Sequence, residues 1–138
     1  MTAVVVGSSV ALKWFIPEVL SEQAESLLDG SLELLTPDLL FPEVGNILWK
    51  KIARGEIQAG EAREVLAALR RVPLVVVASS GLLEGALEIA VAYQRTVYDA
   101  LYLALAVAHD CAFVTADDRL ARALAEGPLA RHIRRLSS

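Results

Sequence analysis

The sequence has very few residues of the kinds that build disulfide-bonded or zinc-binding domains. Its 138 residues include one cysteine, Cys111, and two histidines, His109 and His132. A single cysteine excludes an internal disulfide, and neither histidine has a partner at metal-ligand spacing. Any metal site in this chain is therefore expected to use oxygen ligands rather than His and Cys.

Long apolar runs and an excess of positive charge are also missing. The longest apolar run, residues 100–108, is about half of the roughly 20 residues that a membrane-spanning helix needs. No basic residue precedes Lys13, as one would before a secretory signal, so we expect a cytoplasmic protein without a membrane partner. The net charge of −4 argues against a protein that coats nucleic acid through bulk charge.

What the sequence does contain is material for one hydrophobic core. Hydrophobic residues make up 55% of the chain, and its length is typical of one domain, so we predict a single domain over residues 1–138 without a linker. The high apolar fraction also leaves side chains for a surface that meets a partner.

Short β-branched runs alternate with helical patterns along the chain. They predict an α/β fold with a central parallel sheet of about four to five strands and helices on both faces. The strands are expected at 3–6, 32–35, 74–77 and 112–114, and an edge strand is considered at 132–134. The helices are expected at 9–15 with Ser9 as N-cap, and at 21–28, 41–54, 59–70, 82–93, 98–109 and 118–125.

Acidic residues follow the strands at the places where such a sheet binds ligands. In open parallel sheets, sites lie beyond the carboxyl ends of the strands, here after residues 3–6 and 112–114. Asp117 and Asp118 follow the second of these strands, and Asp99 opens a helix. Helix capping would explain Asp99 when it is considered by itself, and it would explain one of Asp117 and Asp118. The other aspartate of that pair is then left without a capping role.

Glu43 lies within the mainly apolar stretch 39–48, and two interpretations remain open. It can belong with Asn46 and Lys50 to the polar face of a surface helix, or it can be a partly buried functional carboxylate. Glu43, Asp99 and Asp117 together would select a hard cation such as Mg²⁺ or Mn²⁺. Such an ion supports nuclease or phosphatase chemistry.

Four ordered motifs resemble those of the PIN domain family, especially the VapC-type toxin ribonucleases of bacterial and archaeal toxin–antitoxin systems. They are the opening VVVGSSVALKWFIPE, the P-E-x-x-N element at 42–46, the Y-D-A element at 98–100 and the T-A-D element at 115–117. The resemblance extends over the whole chain. It implies an endoribonuclease that depends on Mg²⁺ or Mn²⁺, forms a homodimer and is inhibited by an antitoxin whose tail lies across the groove that RNA enters.

The resemblance also implies roles for individual residues. Glu43, Asp99 and Asp117 become catalytic and metal-binding carboxylates, and Asp118 becomes a helix cap or an outer metal ligand. Ser9 and Thr115 would support the site through their hydroxyl groups, and Asn46 would lie beside it.

The sequence departs from the family at Gly7. Where the family carries its first aspartate, in a pattern like V-V-D-A-S, this chain reads Val5-Val6-Gly7-Ser8-Ser9, and no acid precedes Glu18. Loss of an anionic ligand should weaken metal binding, since even changes around the ligands can cost about 10- to 100-fold. Activity of this form is therefore expected to be weak or absent, and a non-catalytic domain that binds an antitoxin or RNA is the alternative.

Overall fold

A parallel sheet forms the centre of this α/β fold. The computed structural model describes residues 1–137, so Ser138 of the predicted domain lies outside the described residues. Five strands form the sheet in these residues, in the order β3-β2-β1-β4-β5, and every neighbouring pair is parallel. They are β1 (Thr2–Val6), β2 (Leu32–Pro37), β3 (Leu74–Val77), β4 (Ala112–Thr115) and β5 (Ile133–Arg135).

Helices connect the strands, and their bounds agree with the predicted ones to within about two residues, apart from the second. That segment, predicted as a helix over 21–28, ends as a 3₁₀ turn over Ser26–Leu28. The helices are α1 (Ser8–Lys13), α2 (Ser21–Glu25), α3 (Leu40–Ala53), α4 (Ala59–Leu69), α5 (Leu83–Tyr93), α6 (Val97–Ala108) and α7 (Asp118–Leu124). No helix in residues 1–137 has the length and apolar character needed to cross a bilayer.

The sheet carries a hydrophobic core on each face. Successive strand side chains point to opposite faces, so Val4 and Val6 of β1 pack with α1 to α4, whereas Val5 packs with α5, α6 and α7. All three valines are at most 2% exposed. The expectation of a parallel sheet with helices on both faces is confirmed.

The start of α1 differs from the prediction, which placed Ser9 at the N-cap. Gly7 occupies that position, with φ −107° and ψ 177°, and its carbonyl accepts the first helical hydrogen bond from the Ala11 N–H at 3.0 Å. The helix begins earlier because the chain turns directly after Val6, and no side chain caps it. Ser9 is therefore a first-turn residue, and its assignment as N-cap was wrong.

The order of the strands fixes where a site can form. From β1 the chain builds β2 and β3 on one side of the sheet, and β4 and β5 lie on the other side. The crevice between β1 and β4 is thus the topological switch point at which parallel sheets bind ligands. Gly7 follows β1 there, and Thr115 ends β4.

Candidate acidic site

A cavity of about 90 Å³ opens beyond the carboxyl ends of β1 and β4. We call it the acidic cavity, because three carboxylate residues from separate segments line it. Six of the predicted site residues line this cavity: Gly7, Ser9, Glu43, Asp99, Thr115 and Asp117. The structure therefore brings together residues that are up to 110 positions apart in the sequence.

Glu43 enters the acidic cavity from the first turn of α3 and is partly buried there. Its Oε1 accepts a hydrogen bond from the Tyr102 hydroxyl and a second from Ser8 Oγ at 3.3 Å. These two donors come from α6 and α1. The interpretation of Glu43 as a member of an exposed polar face is therefore wrong, because its carboxylate has partners on two other helices.

Tyr102 is the donor that fixes Glu43 from the α6 side. Its ring is 4% exposed and stacks on the Phe113 ring, with centroids 5.0 Å apart and an interplanar angle of 12°. Burial and then the neighbouring Glu43 raise the pKa of the Tyr102 phenol far above its usual range. The phenol thus stays protonated and remains a hydrogen-bond donor to Glu43.

Asp99 lies in the first turn of α6, and the residue that caps this helix is Thr96. Thr96 Oγ1 accepts a hydrogen bond from the Asp99 N–H at 3.1 Å, so the Asp99 carboxylate remains available to the cavity. Burial raises the pKa of Asp99, the charge of Asp117 raises it further, and Arg95 opposes both effects. The charges of Asp99 and Asp117 therefore interact.

Asp117 is the N-cap of α7. Its Oδ1 accepts hydrogen bonds from the Arg119 N–H at 3.0 Å and the Leu120 N–H at 3.1 Å. Its own N–H donates to the Oγ1 of the buried Thr115 at 3.0 Å. One carboxylate oxygen of Asp117 is thus used to cap the helix. The hydrogen bond to Thr115 stabilises the turn from which the Asp117 side chain projects.

Two predicted site residues lie outside the acidic cavity. Asp118, which was a candidate for the helix cap, is the first residue of α7, and its carboxylate pairs instead with Arg135 Nη2 at 2.8 Å. Asp117 is the N-cap because its backbone is extended, whereas the backbone of Asp118 is already helical. Asn46 is exposed on α3 and is not among the lining residues.

The donors match Mg²⁺ or Mn²⁺ in chemical type but do not form a complete site. Carboxylate oxygens are the ligands that these ions prefer. However, no group of three Asp, Glu, His or Cys residues within positions 1–137 is arranged so that it could hold a metal ion. Glu43 is bonded to Tyr102 and Ser8, Asp117 caps α7, and Gly7 offers no side chain. As they stand, the residues do not fit a bound divalent ion.

Four other residues line the acidic cavity and were not singled out in the sequence: Ser8, Tyr102, Phe113 and Leu120. Tyr102 follows Asp99 by three positions on α6, which places both on one helical face. That spacing, together with a phenol in an otherwise apolar helix, was the available signal for Tyr102. The proximity of Phe113 to Gly7 had no signal, since Phe113 lies on β4 and Gly7 follows β1, more than 100 positions earlier in the sequence.

Comparison with known proteins was consistent with the motifs. The family model described as "PIN domain" matches residues 4–125. Ribonuclease VapC3 of Pyrobaculum aerophilum is 38% identical over 119 residues, which cover 85% of this chain and 91% of that protein. Ribonuclease VapC9 of Mycobacterium tuberculosis is 34% identical over 117 residues, which cover 85% and 87%.

A solved structure from Rickettsia felis has a similar fold. The crystal structure of VapBC2 from Rickettsia felis, bound to a DNA fragment from its promoter, contains a chain that superposes with a TM-score of 0.70. The match covers 97% of this chain and 98% of that chain, at 12% sequence identity. At this identity the likeness establishes a shared fold.

Proposed function

The chain belongs to the PIN domain family, and from this premise we propose that it is a VapC-type toxin endoribonuclease whose metal-dependent cleavage is weak or absent in this form. The proposed substrate is RNA, and the proposed ion is Mg²⁺ or Mn²⁺. The deficit is assigned to Gly7, which supplies no carboxylate where the family's first aspartate is expected.

One observation carries this proposal: carboxylates from three separate segments line one cavity at the switch point of the sheet. Glu43 comes from α3, Asp99 from α6 and Asp117 from the turn after β4. Coincidence explains one acid at a helix start, because capping is common, but it does not explain convergence of three. The names of the relatives, both ribonucleases, support the same activity.

Neighbouring groups orient two of the three carboxylates before any substrate binds. Glu43 is oriented by Tyr102 and Ser8, and Asp117 is oriented by its bonds to the start of α7. Burial and then the charge of Asp117 raise the pKa of Asp99. A divalent ion held by a completed site would supply charge neutralisation at the scissile phosphate.

We also propose two protein partners, a cognate antitoxin and a second copy of the chain. A cavity of about 430 Å³ lies between the end of α1 and α4. Its lining includes the apolar residues Trp14, Phe15 and Ile16 beside Glu61 and Glu64, which supports capture of a mainly apolar antitoxin segment. Exposed Leu83 and Leu87 on α5 support self-association. The cytoplasmic location expected from the sequence stays a prediction.

A non-catalytic binding domain is the second candidate function. The observation that favours it is the incomplete arrangement of acids in residues 1–137, where no three form a metal-holding group. In that case antitoxin or RNA binding would persist when divalent ions are removed with EDTA.

The test is RNA cleavage by the purified chain and by Gly7→Asp, each with Mn²⁺, Mg²⁺ or EDTA. The proposal expects little cleavage by the parent chain and more by the variant, abolished by EDTA. Asp99→Asn in the Gly7→Asp background should remove this activity, whereas Asp118→Asn, outside the acidic cavity, should leave it largely intact. EDTA-sensitive cleavage by the parent at the same rate would contradict the role of Gly7. Absence of cleavage by both the parent chain and Gly7→Asp would favour the binding domain.

A further inference from the structure

The ring of Phe113 lies against the backbone of Gly7. A Cβ atom built on Gly7 would be 3.1 Å from Phe113 Cε1, 3.2 Å from Phe113 Cζ and 3.7 Å from Tyr102 Cε1. Carbon atoms in good packing contact are about 3.5–4.0 Å apart. Two of the three contacts are therefore too short, and both involve the Phe113 ring.

The backbone itself would accept another residue at position 7. Its φ of −107° and ψ of 177° are those of extended chain, which any L-amino acid adopts. Glycine is thus not required here by conformation. The obstacle to a side chain at this position is the aromatic ring that occupies the adjacent space.

That ring is held by its neighbours. Phe113 is 6% exposed and stacks on Tyr102, which is itself 4% exposed and bonded to Glu43. Stacked rings in close contact transmit a displacement from one to the other. A shift of Phe113 would therefore move Tyr102 and, through the phenol, the carboxylate of Glu43.

We infer that Phe113 occupies the space of a side chain at position 7 and, through Tyr102, acts as a positioning residue for Glu43. A carboxylate placed at position 7 would then enter the acidic cavity with less strain, and bind an ion more tightly, when Phe113 is shortened. The packing half of this inference stands on the contacts alone. The metal-binding half rests on the proposed function.

The packing half is tested by a thermal double-mutant cycle of Gly7→Ala, Phe113→Leu and the pair. We expect Gly7→Ala to lower the melting temperature in the parent, and Phe113→Leu to remove at least about 3 °C of that loss. Gly81→Ala is the control, since no atom lies within 4 Å of its added Cβ, and its effect should be the same in both backgrounds. Equal effects of Gly7→Ala with and without Phe113→Leu would overturn the inference. Phe113→Met replaces the leucine variant if the latter does not fold.

The metal-binding half is tested by Mn²⁺ titration, with free Mn²⁺ followed by electron paramagnetic resonance. Gly7→Asp/Phe113→Leu should bind Mn²⁺ about tenfold or more tightly than Gly7→Asp, with circular dichroism confirming that both are folded. Equal affinities would overturn the inference that Phe113 obstructs a carboxylate at position 7. If neither variant binds the ion, the metal-binding part of the proposed function fails, and the melting-temperature cycle still decides the packing of Phe113.

Discussion

The Tyr102 hydroxyl donates a hydrogen bond to Oε1 of Glu43, and this bond joins α6 to α3 across the acidic cavity. The two residues are 59 positions apart, and they lie on helices that pack on opposite faces of the sheet. The bond therefore ties the two layers together at the carboxyl end of the sheet, where the candidate site lies.

Replacement of Tyr102 by phenylalanine removes this bond and leaves the ring stacking in place. We expect Tyr102→Phe to lower the free energy of unfolding by about 1–2 kcal/mol, because a hydrogen bond to a carboxylate is lost and Glu43 remains partly buried. Urea unfolding measures the change. Tyr98→Phe is the matched control on the same helix, since its side chain is 62% exposed, and it should change little. A loss of equal size in both variants would argue against the Tyr102–Glu43 bond.

Asp99 should make the folded chain less stable as its carboxyl ionises. Burial and Asp117 raise the folded-state pKa above the ordinary value of 3.8, so the unfolded chain releases this proton at lower pH. The penalty is absent when Asp99 is protonated in both states, grows as pH rises through the window between the two pKa values, and is fully present above it.

Asp99→Asn removes that penalty. In EDTA we expect the variant to melt at a higher temperature than the parent near neutral pH, with the difference shrinking below about pH 4. Calorimetry across this pH range measures it. Asp29→Asn is the contrasting variant, because hydrogen bonds from Ser31 lower the pKa of Asp29, and it should give no such gain. A pH-independent effect of Asp99→Asn would rule out the ionisation argument.

Asp117 and Asp118 are adjacent but should differ in their contribution to stability. Asp117 caps α7 through two backbone N–H groups, so Asp117→Ala is expected to cost about 1 kcal/mol. Asp118 forms an exposed pair with Arg135, and Asp118→Ala should cost less, within about 0–1 kcal/mol. Denaturant unfolding compares them. Asp117→Asn should retain most stability, since asparagine also caps helices, and a cost equal to that of alanine would refute the cap.

Much of the fold followed from local patterns in the sequence. The unbroken β-branched run of β1 predicted a strand buried on both faces, and Val4, Val5 and Val6 are buried there. Helical spacing predicted a helix over 41–54, and α3 covers Leu40–Ala53, with Gly55 at a positive φ of 74° after the C-cap. These features depend on residues that are close in sequence, so one amino-acid sequence is enough to predict them.

The parts of the site that were not predicted depend on long-range contacts or on the exact residue at which a helix begins. The choice of Gly7 over Ser9 and of Asp117 over Asp118 as N-caps depends on where the backbone first becomes helical, which composition does not determine. Tyr102 and Glu43 meet only because α6 and α3 converge beyond the sheet. The place of Asp117 was predictable, because it directly follows β4 at the carboxyl edge of a parallel sheet.

The exposed face of α5 should mediate self-association. Leu83, Leu87 and Val91 repeat every four residues along α5 and are 49%, 58% and 74% exposed. An apolar stripe of this kind on a folded domain is typical of a surface that meets a partner. We expect the chain to be a dimer by sedimentation equilibrium, and Leu87→Glu to shift it toward the monomer, because a charge at the centre of an apolar contact loses solvation.

Val19→Glu provides the matched control for this prediction. Val19 is 79% exposed in the segment between α1 and α2, so a charge there tests whether any new glutamate disperses the chain. The dimer should survive Val19→Glu and dissociate with Leu87→Glu, while both variants keep the parent circular dichroism spectrum. If Leu87→Glu remains dimeric, the α5 stripe is not the contact; dissociation of both variants would indicate a general charge effect, since the net charge is already −4.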